Sequence, residues 1–286
     1  MIPNSFDYVR ASSVQDAVAL LSEHGPDAKL LAGGHSLIPA MKLRLSAPKT
    51  LIDISGISEL SAIHVRGDKI EIGAFVTHRT VETSDEVKKA CLVLAEAAGK
   101  IGDPQVRNHG TIGGSLAHAD PAADYPALVL ALGVEIDVMG KSGNRTIGAD
   151  QFFTGLFETA LKEDEIITKV SFPVFKKGAG AAYEKFYHPA SRFAIVGVAA
   201  MVTMDGGKCM AARVAVTGAA ACAFRASGAE NALIGKALDE KSVSDATANV
   251  ADPADLMSDL SASAEYRAHL CSVLMKRALL RAVEAA

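Results

Sequence analysis

Strand-like and helix-like segments intermixed through residues 1–177, followed by three strand-like segments and an alanine- and leucine-rich helical tail over 178–286, predict an α+β fold. Size agrees with two parts. At 286 residues and 49% hydrophobic, the chain can bury a substantial core and matches roughly two domains in length.

After an extended start, Ser12-Ser13 can cap a helix whose apolar residues Val14, Ala17, Val18 and Leu21 share one face, with Gly25-Pro26 ending it. Ala28 to Ala32 is short and apolar like a buried strand and runs into Gly33-Gly34-His35-Ser36, after which Leu37 to Arg44 suits a helix. Thr50 to Ile54 and Lys69 to Val76 read as strands, and Asp85 to Gly99 reads as one helix. A second glycine turn lies in Asn108 to Ser115, followed by the helix-like Ala122 to Leu132 and the strand candidates Val134 to Met139 and Glu165 to Phe172. Pro173 and Lys176-Lys177-Gly178 punctuate the chain, which puts the domain boundary between 177 and 178. Ala181 to Tyr187, Ala194 to Met204 and Cys209 to Thr217 read as antiparallel strands, the last two joined by Asp205-Gly-Gly-Lys208. Glu230 to Leu233, Ser242 to Val250 and Glu265 to Val283 carry charges at helical spacing.

Composition narrows the function classes. A formal net charge of −4 and the absence of a basic run argue against nucleic-acid binding. The start lacks the pattern of a signal peptide, and the most apolar stretch, Phe193 to Met204, is too short to span a bilayer. The four cysteines, Cys91, Cys209, Cys222 and Cys271, lie far apart with no CxxC or Cys/His cluster, so the chain is not expected to hold an iron–sulfur or zinc site. Lone cysteines of this kind make the cytoplasm the default compartment.

Two glycine pairs carry the strongest chemical signal: Ala32-Gly-Gly-His-Ser-Leu37 and Ile112-Gly-Gly-Ser-Leu-Ala117. Glycine lets a backbone approach a ligand closely and aim its N–H groups at it, as a diphosphate requires. One GG pair alone is more simply a tight turn, but two in similar contexts suggest loops clamping one pyrophosphate from opposite sides. No GxxxxGK[ST] is present, nor a GxGxxG within a βαβ unit, so P-loop and Rossmann readings lack their glycines. Asp120 and Asp124 fit hydroxyl acceptors and helix caps equally well. His35 and His109 read as loop hydrogen-bonders, Phe193 as a stacking surface or a core residue, and Lys185 by default as a solvated strand residue. No histidine has metal-ligand spacing.

Taken together, Ile2-Pro with Phe6 and Tyr8, Leu31-Ala-Gly-Gly-His-Ser-Leu-Ile-Pro39, Asp103-Pro-Gln-Val-Arg107, Gly110-Thr-Ile-Gly-Gly-Ser115, Asp120-Pro121 with Asp124, and Tyr183-Glu-Lys185 run along nearly the whole chain. In these motifs the chain resembles the medium, FAD-binding subunit of carbon monoxide dehydrogenase-type molybdenum hydroxylases, relatives of the xanthine dehydrogenase flavin domain. The resemblance implies a two-subdomain FAD-binding fold of the vanillyl-alcohol oxidase type, followed by a C-terminal domain with a three-stranded antiparallel sheet and helices. It implies that Ala32, Gly33, Gly34, His35 and Ser36 form one diphosphate-binding loop, with Leu31 and Leu37 beside it as cofactor-binding residues, and Thr111, Ile112, Gly113, Gly114 and Ser115 the other. By the same carry-over, Asp124 holds FAD through a hydroxyl, Lys185 lies near the adenosine part, and Phe193 stands where some relatives carry a tyrosine beside the isoalloxazine. Ser115 replaces a frequent asparagine, and the loop from His188 to Arg192 departs from some relatives.

The implied partners are a small [2Fe-2S] subunit and a large molybdopterin subunit, assembled as a dimer of heterotrimers. The implied role is electron transfer through FAD, with no catalytic acid or base from this chain. The competing reading is a self-sufficient flavin oxidase of the same broad fold, which requires a substrate cavity over the ring. A third is a non-catalytic scaffold, which the two intact glycine loops disfavour.

Overall fold

In the computed structural model, which describes residues 1–286, β1 (Asp7–Arg10) leads into α1 (Val14–His24), β2 (Ala28–Leu31), α2 (Leu37–Lys42) and β3 (Thr50–Asp53). These strands form a parallel sheet in the order β1-β3-β2. Ser13 caps α1 by accepting from the Asp16 amide, and Val14, Ala17, Val18 and Leu21 are its buried face, as their spacing predicts.

A five-stranded antiparallel sheet follows, built from β4 (Ile63–Arg66), β5 (Lys69–Gly73), β6 (Glu135–Gly140), β7 (Gly143–Gly148) and β10 (Ile166–Pro173), in the order β4-β5-β10-β6-β7. The hairpin β8 (Phe153–Gly155) with β9 (Glu158–Thr159) precedes β10. Between β5 and β6 lie the helices α3 (His78–Thr83), α4 (Asp85–Ala90), α5 (Leu92–Gly99), α6 (Pro104–His109), α7 (Ile112–His118) and α8 (Tyr125–Leu132).

The expected single helix from Asp85 to Gly99 is two helices. Cys91 leaves the helical region at φ −153°, ψ 75°, its amide closes α4 on the Val87 carbonyl, and the Ala90 carbonyl accepts from Phe175 instead of continuing a helix. No Gly or Pro marks the break, so tertiary packing decides it. The helix expected from Ala122 starts at Tyr125, because the Asp120 side chain closes a local turn onto the Ala122 amide at 2.9 Å.

The third layer is a sheet of β11 (Ala179–Tyr187), β12 (Ala194–Asp205), β13 (Lys208–Thr217) and β14 (Phe224–Arg225) in sequential antiparallel order. It has four strands rather than three, the fourth being only two residues long. Gly206 and Gly207 both take positive φ, giving the β12–β13 hairpin a turn that matches strand twist. The chain ends with α9 (Ser227–Leu233), α10 (Glu240–Ala246) and α11 (Ala264–Glu284). Leu270, Leu274, Met275, Ala278 and Leu279 of α11 pack into the core of this layer, with Val196, Val198 and Val214 from the sheet. The largest core, over the five-stranded sheet, also takes in Tyr183, Ala199 and Ala215, so the two halves of the chain share buried surface.

Arg267 of α11 is buried beneath this layer. Its Nη1 donates to the carbonyls of Ile195 and Gly218 at 2.6 and 2.7 Å, and its Nη2 to Asp259 at 2.6 Å. The Arg267→Met substitution preserves length but strips two buried carbonyls of a charged donor. It should lower unfolding stability by about 2–4 kcal/mol with little change in the denaturant slope, measured by urea titration.

Candidate functional site

A cavity of about 760 Å³ is lined by the β2–α2 turn, α7, the β9–β10 connection and the turn before β12. Its size is within the range of small-molecule and cofactor sites.

The first glycine segment leaves β2 at Leu31 and turns at Gly34, whose φ is +71°. A Cβ on Gly33 would fall 1.8 Å from the His109 carbonyl oxygen, so the two glycine segments meet there backbone to backbone. The amides of Gly33, Gly34, His35 and Ser36 have no acceptor in the protein. Successive free N–H groups around a left-handed residue form a concave anion site. The His35 ring stacks on His109 with centroids 5.2 Å apart and an interplanar angle of 12°.

The second segment is built differently. Thr111 caps α7 and accepts from Gly114 at 3.1 Å, while the amides of Ile112 and Gly113 donate to Val76 and Ala74 and that of Ser115 to Thr111. Unlike the first pair, Gly113 and Gly114 lie inside a helix whose amides are already engaged. This segment provides a close wall. A Cβ on Gly113 would meet Ala74 at 2.5 Å, and one on Gly114 would point toward Ala32, 4.0 Å away.

Asp124 stands at the start of α8 but caps nothing. Its Oδ1 accepts from the Tyr183 hydroxyl at 2.6 Å and from Lys185 Nζ at 2.8 Å, and Lys185 also reaches Oδ2 at 2.9 Å. The Lys185 side chain is only 2% exposed, which overturns its default reading as a solvated residue. Its remaining contact is the Lys100 carbonyl, and Lys100 in turn donates to the Tyr183 carbonyl at 2.7 Å. Burial pushes the Asp124 carboxyl upward, and Lys185 and the Tyr183 hydroxyl oppose that shift by stabilising the charged form. Burial, the Asp124 charge and its hydrogen bond keep the Tyr183 phenol protonated.

Ala32, Gly33, Gly34, His35, Ser36, Leu37, Thr111, Gly113, Gly114, Ser115, Asp124 and Phe193 line the cavity together. Leu31, Ile112 and Lys185 do not: Ile112 is packed in the core, and Lys185 lies behind Asp124. Lys185 pairs with Gly197 in the β11–β12 register, and Phe193 lies in the connection that joins these two strands. Phe193 is about half exposed and follows Arg192, whose φ is +61° and whose guanidinium lies 5.4 Å from the Tyr187 ring centre.

Several lining residues carried no sequence signal. His78 opens α3, and Phe157, at φ +56° in the β8–β9 turn, packs on His118 with centroids 5.2 Å apart. Ile101 and Gly102 line the wall because Arg107 holds both their carbonyls, at 3.0 and 3.3 Å, while its Nε pairs with Glu82 at 2.9 Å. The Asp103-Pro104 pair marked that turn, since Asp103 caps α6 at the Val106 amide, but gave no hint of the clamp. Glu165 closes another part of the wall and is held ionised by the Arg145 guanidinium at 2.7 Å, which lowers its carboxyl below the usual range.

A concave run of free amides, a buried carboxylate with acceptor capacity left and an aromatic ring at one edge suit a ligand with a diphosphate, hydroxyls and a planar ring. These are the parts of FAD, so fold and cavity suit a flavin-binding protein. Residues 4–175 match the family model for the FAD binding domain in molybdopterin dehydrogenase, and residues 181–282 that for the CO dehydrogenase flavoprotein C-terminal domain. The chain is 42% identical to the carbon monoxide dehydrogenase medium chain of Hydrogenophaga pseudoflava over 98% of its length and 97% of the relative's. It is 38% identical to 6-hydroxypseudooxynicotine dehydrogenase complex subunit alpha of Paenarthrobacter nicotinovorans, covering 100% of this chain and 97% of that one. A solved carbon monoxide dehydrogenase from H. pseudoflava superposes with a TM-score of 0.96 at 43% identity, and quinoline 2-oxidoreductase from Pseudomonas putida 86 with 0.92 at 32%, covering 100% and 99% of both chains. The chain belongs to the FAD-binding flavoprotein family of the molybdopterin dehydrogenases. FAD is its cofactor.

The two glycine segments should respond differently to alanine. Gly33→Ala places a methyl inside the His109 backbone and should both lower the melting temperature and abolish FAD binding. Gly114→Ala meets only the Thr111 hydroxyl, at 2.8 Å, before the space between the loops, so it should keep the fold and weaken FAD affinity by at least tenfold. Circular dichroism melts with fluorescence titration of apoprotein check both, and wild-type affinity in Gly114→Ala would remove that residue from the site.

Proposed function

We propose that this chain takes electrons delivered by iron–sulfur clusters of a partner subunit, holds them on FAD and hands them to an external acceptor. The substrate is oxidised at a molybdenum centre in a third subunit. The observation that carries the siting of FAD is the run of four unpaired amides, Gly33 to Ser36, at the wall of the cavity. They hold the diphosphate, with Ala32, Leu37, Thr111, Gly113, Gly114 and Ser115 around it. Asp124 accepts from a hydroxyl of the cofactor, Lys185 acts through Asp124 rather than by contact, and Phe193 supports the ring. Bound flavin exchanges electrons singly or in pairs, which suits it to join one-electron clusters to a two-electron acceptor.

The thiols of the chain support delivery from outside. Cys91 and Cys271 are buried in different cores, and burial pushes both thiols up to about 12, far from the thiolate a cluster ligand needs. We place the division of labour within the chain at 177/178, with FAD contacts from both sides. The assembly we propose is a dimer of heterotrimers with a small [2Fe-2S] subunit and a large molybdopterin subunit, located in the cytoplasm. No helix is long and apolar enough to cross a membrane.

The test is anaerobic. FAD-loaded chain alone should keep its visible flavin absorbance when mixed with carbon monoxide or an N-heterocyclic substrate, and lose it only after the iron–sulfur and molybdenum subunits are added. Bleaching of the isolated chain by such a substrate would overturn the electron-transfer role and favour the self-sufficient oxidase. FAD should also be released by acid denaturation, and flavin retained on the polypeptide would contradict non-covalent binding.

A further inference from the structure

His78 is the first residue of α3, one of the few buried polar side chains, and a wall residue of the cavity. Its two ring nitrogens have different surroundings. Nδ1 lies 3.3 Å from the Tyr125 hydroxyl, the rings being 5.4 Å apart and tilted by 56°. Nε2 has no hydrogen-bond partner in the protein, yet is not among the sealed, unsatisfied polar atoms, of which Arg267 Nε is the sole instance. It rests against Gly110, where a Cβ would come within 2.5 Å of it, and Gly110 also lines the cavity.

The tautomer follows from satisfaction of Tyr125. That side chain is completely buried, and His78 Nδ1 is the only partner of its hydroxyl. A buried O–H without an acceptor is costly, so the phenol donates to Nδ1 and the imidazole proton resides on Nε2. Burial, with His35 and Arg107 nearby, depresses the imidazole to about 4, which keeps it neutral at physiological pH. The result is one fixed N–H donor on a residue of the cavity wall, set against Gly110 of that wall. It belongs to the same region as the free amides, because Nε2 rests against Gly110, and Gly33 is in backbone contact with His109 and Gly110.

Resting on the reading of this cavity as the FAD site, we infer that His78 Nε2–H donates a hydrogen bond to the diphosphate of FAD, and that Tyr125 is a positioning residue that fixes the donor tautomer. The neutral imidazole adds directionality to the amides of Gly33 to Ser36. It adds no charge.

The experiment measures dissociation constants of FAD and of ADP, which carries the diphosphate without the flavin, for apoprotein of the full chain and its variants. His78→Phe should weaken both ligands by a similar factor, roughly ten- to a hundredfold for a lost hydrogen bond to a charged group. His78→Gln, whose amide nitrogen can occupy the Nε2 position, should recover most of the affinity. Tyr125→Phe should weaken both ligands by a smaller, parallel factor, since the imidazole then divides its proton between two nitrogens, and it serves as the reporter if His78→Phe fails to fold. Unchanged FAD affinity in the folded variants, or loss of FAD affinity with ADP unaffected, would overturn the assignment. Wild-type protein that binds neither ligand would instead defeat the FAD reading on which it rests.

Discussion

The buried carboxylate of Asp124 is the constraint around which the molecule is arranged. An ionised group at that depth is tolerated only when matched by a cation and hydrogen-bond donors, and Lys185 and Tyr183 supply both from β11. Asp124 belongs to the first half of the chain and its partners to the second. The ion pair therefore ties the C-terminal sheet to the cavity wall, where hydrophobic burial alone would leave their mutual position less sharply defined. Lys100 extends the tie by donating to the Tyr183 carbonyl while its own carbonyl accepts from Lys185. Replacing Asp124 or Lys185 leaves the other as an unpaired charge in the core, so the pair acts as a unit.

The parts of this arrangement that the sequence made legible are those with local causes. The capping serine and apolar spacing of α1, the glycine pair between β12 and β13, and the alternation in β5 each follow from a preference within a few residues. The expectation of FAD rested on glycine pairs and motif resemblance, and family membership agrees with it. What escaped notice had distant causes. Cys91 breaks a helix because Phe175, 84 positions later, claims the Ala90 carbonyl. β7 is polar and mostly exposed, so it lacks the hydrophobic alternation that reveals a strand, and Lys185 looks like any strand lysine until Asp124 is folded against it.

The glycine pairs show how a similar local sequence takes two roles. Both approach the cavity closely, but the first follows β2 into an open turn, so its amides have no structural partner. The second follows Thr111, whose hydroxyl caps a helix and whose neighbours bond back to the end of β5. A serine or threonine before a helix draws the following amides into that helix. The first pair has a leucine and an alanine ahead of it and makes no such demand. The presence of Thr111 is therefore the local reason that one segment offers donors and the other a wall.

Helix α8 links these features. Its body, Pro126 to Leu132, is apolar and buried on every side, so it has no freedom to expose a face. Asp124 and Tyr125, at its start, are successive residues whose side chains leave the helix axis about 100° apart. One is drawn toward Lys185 and the other toward His78, on different elements. Any rotation of α8 that improves one contact worsens the other. Two modest polar contacts at one rigid helix end thus fix an angle that neither could fix alone, and the cavity inherits that angle because Asp124 and His78 both belong to its wall.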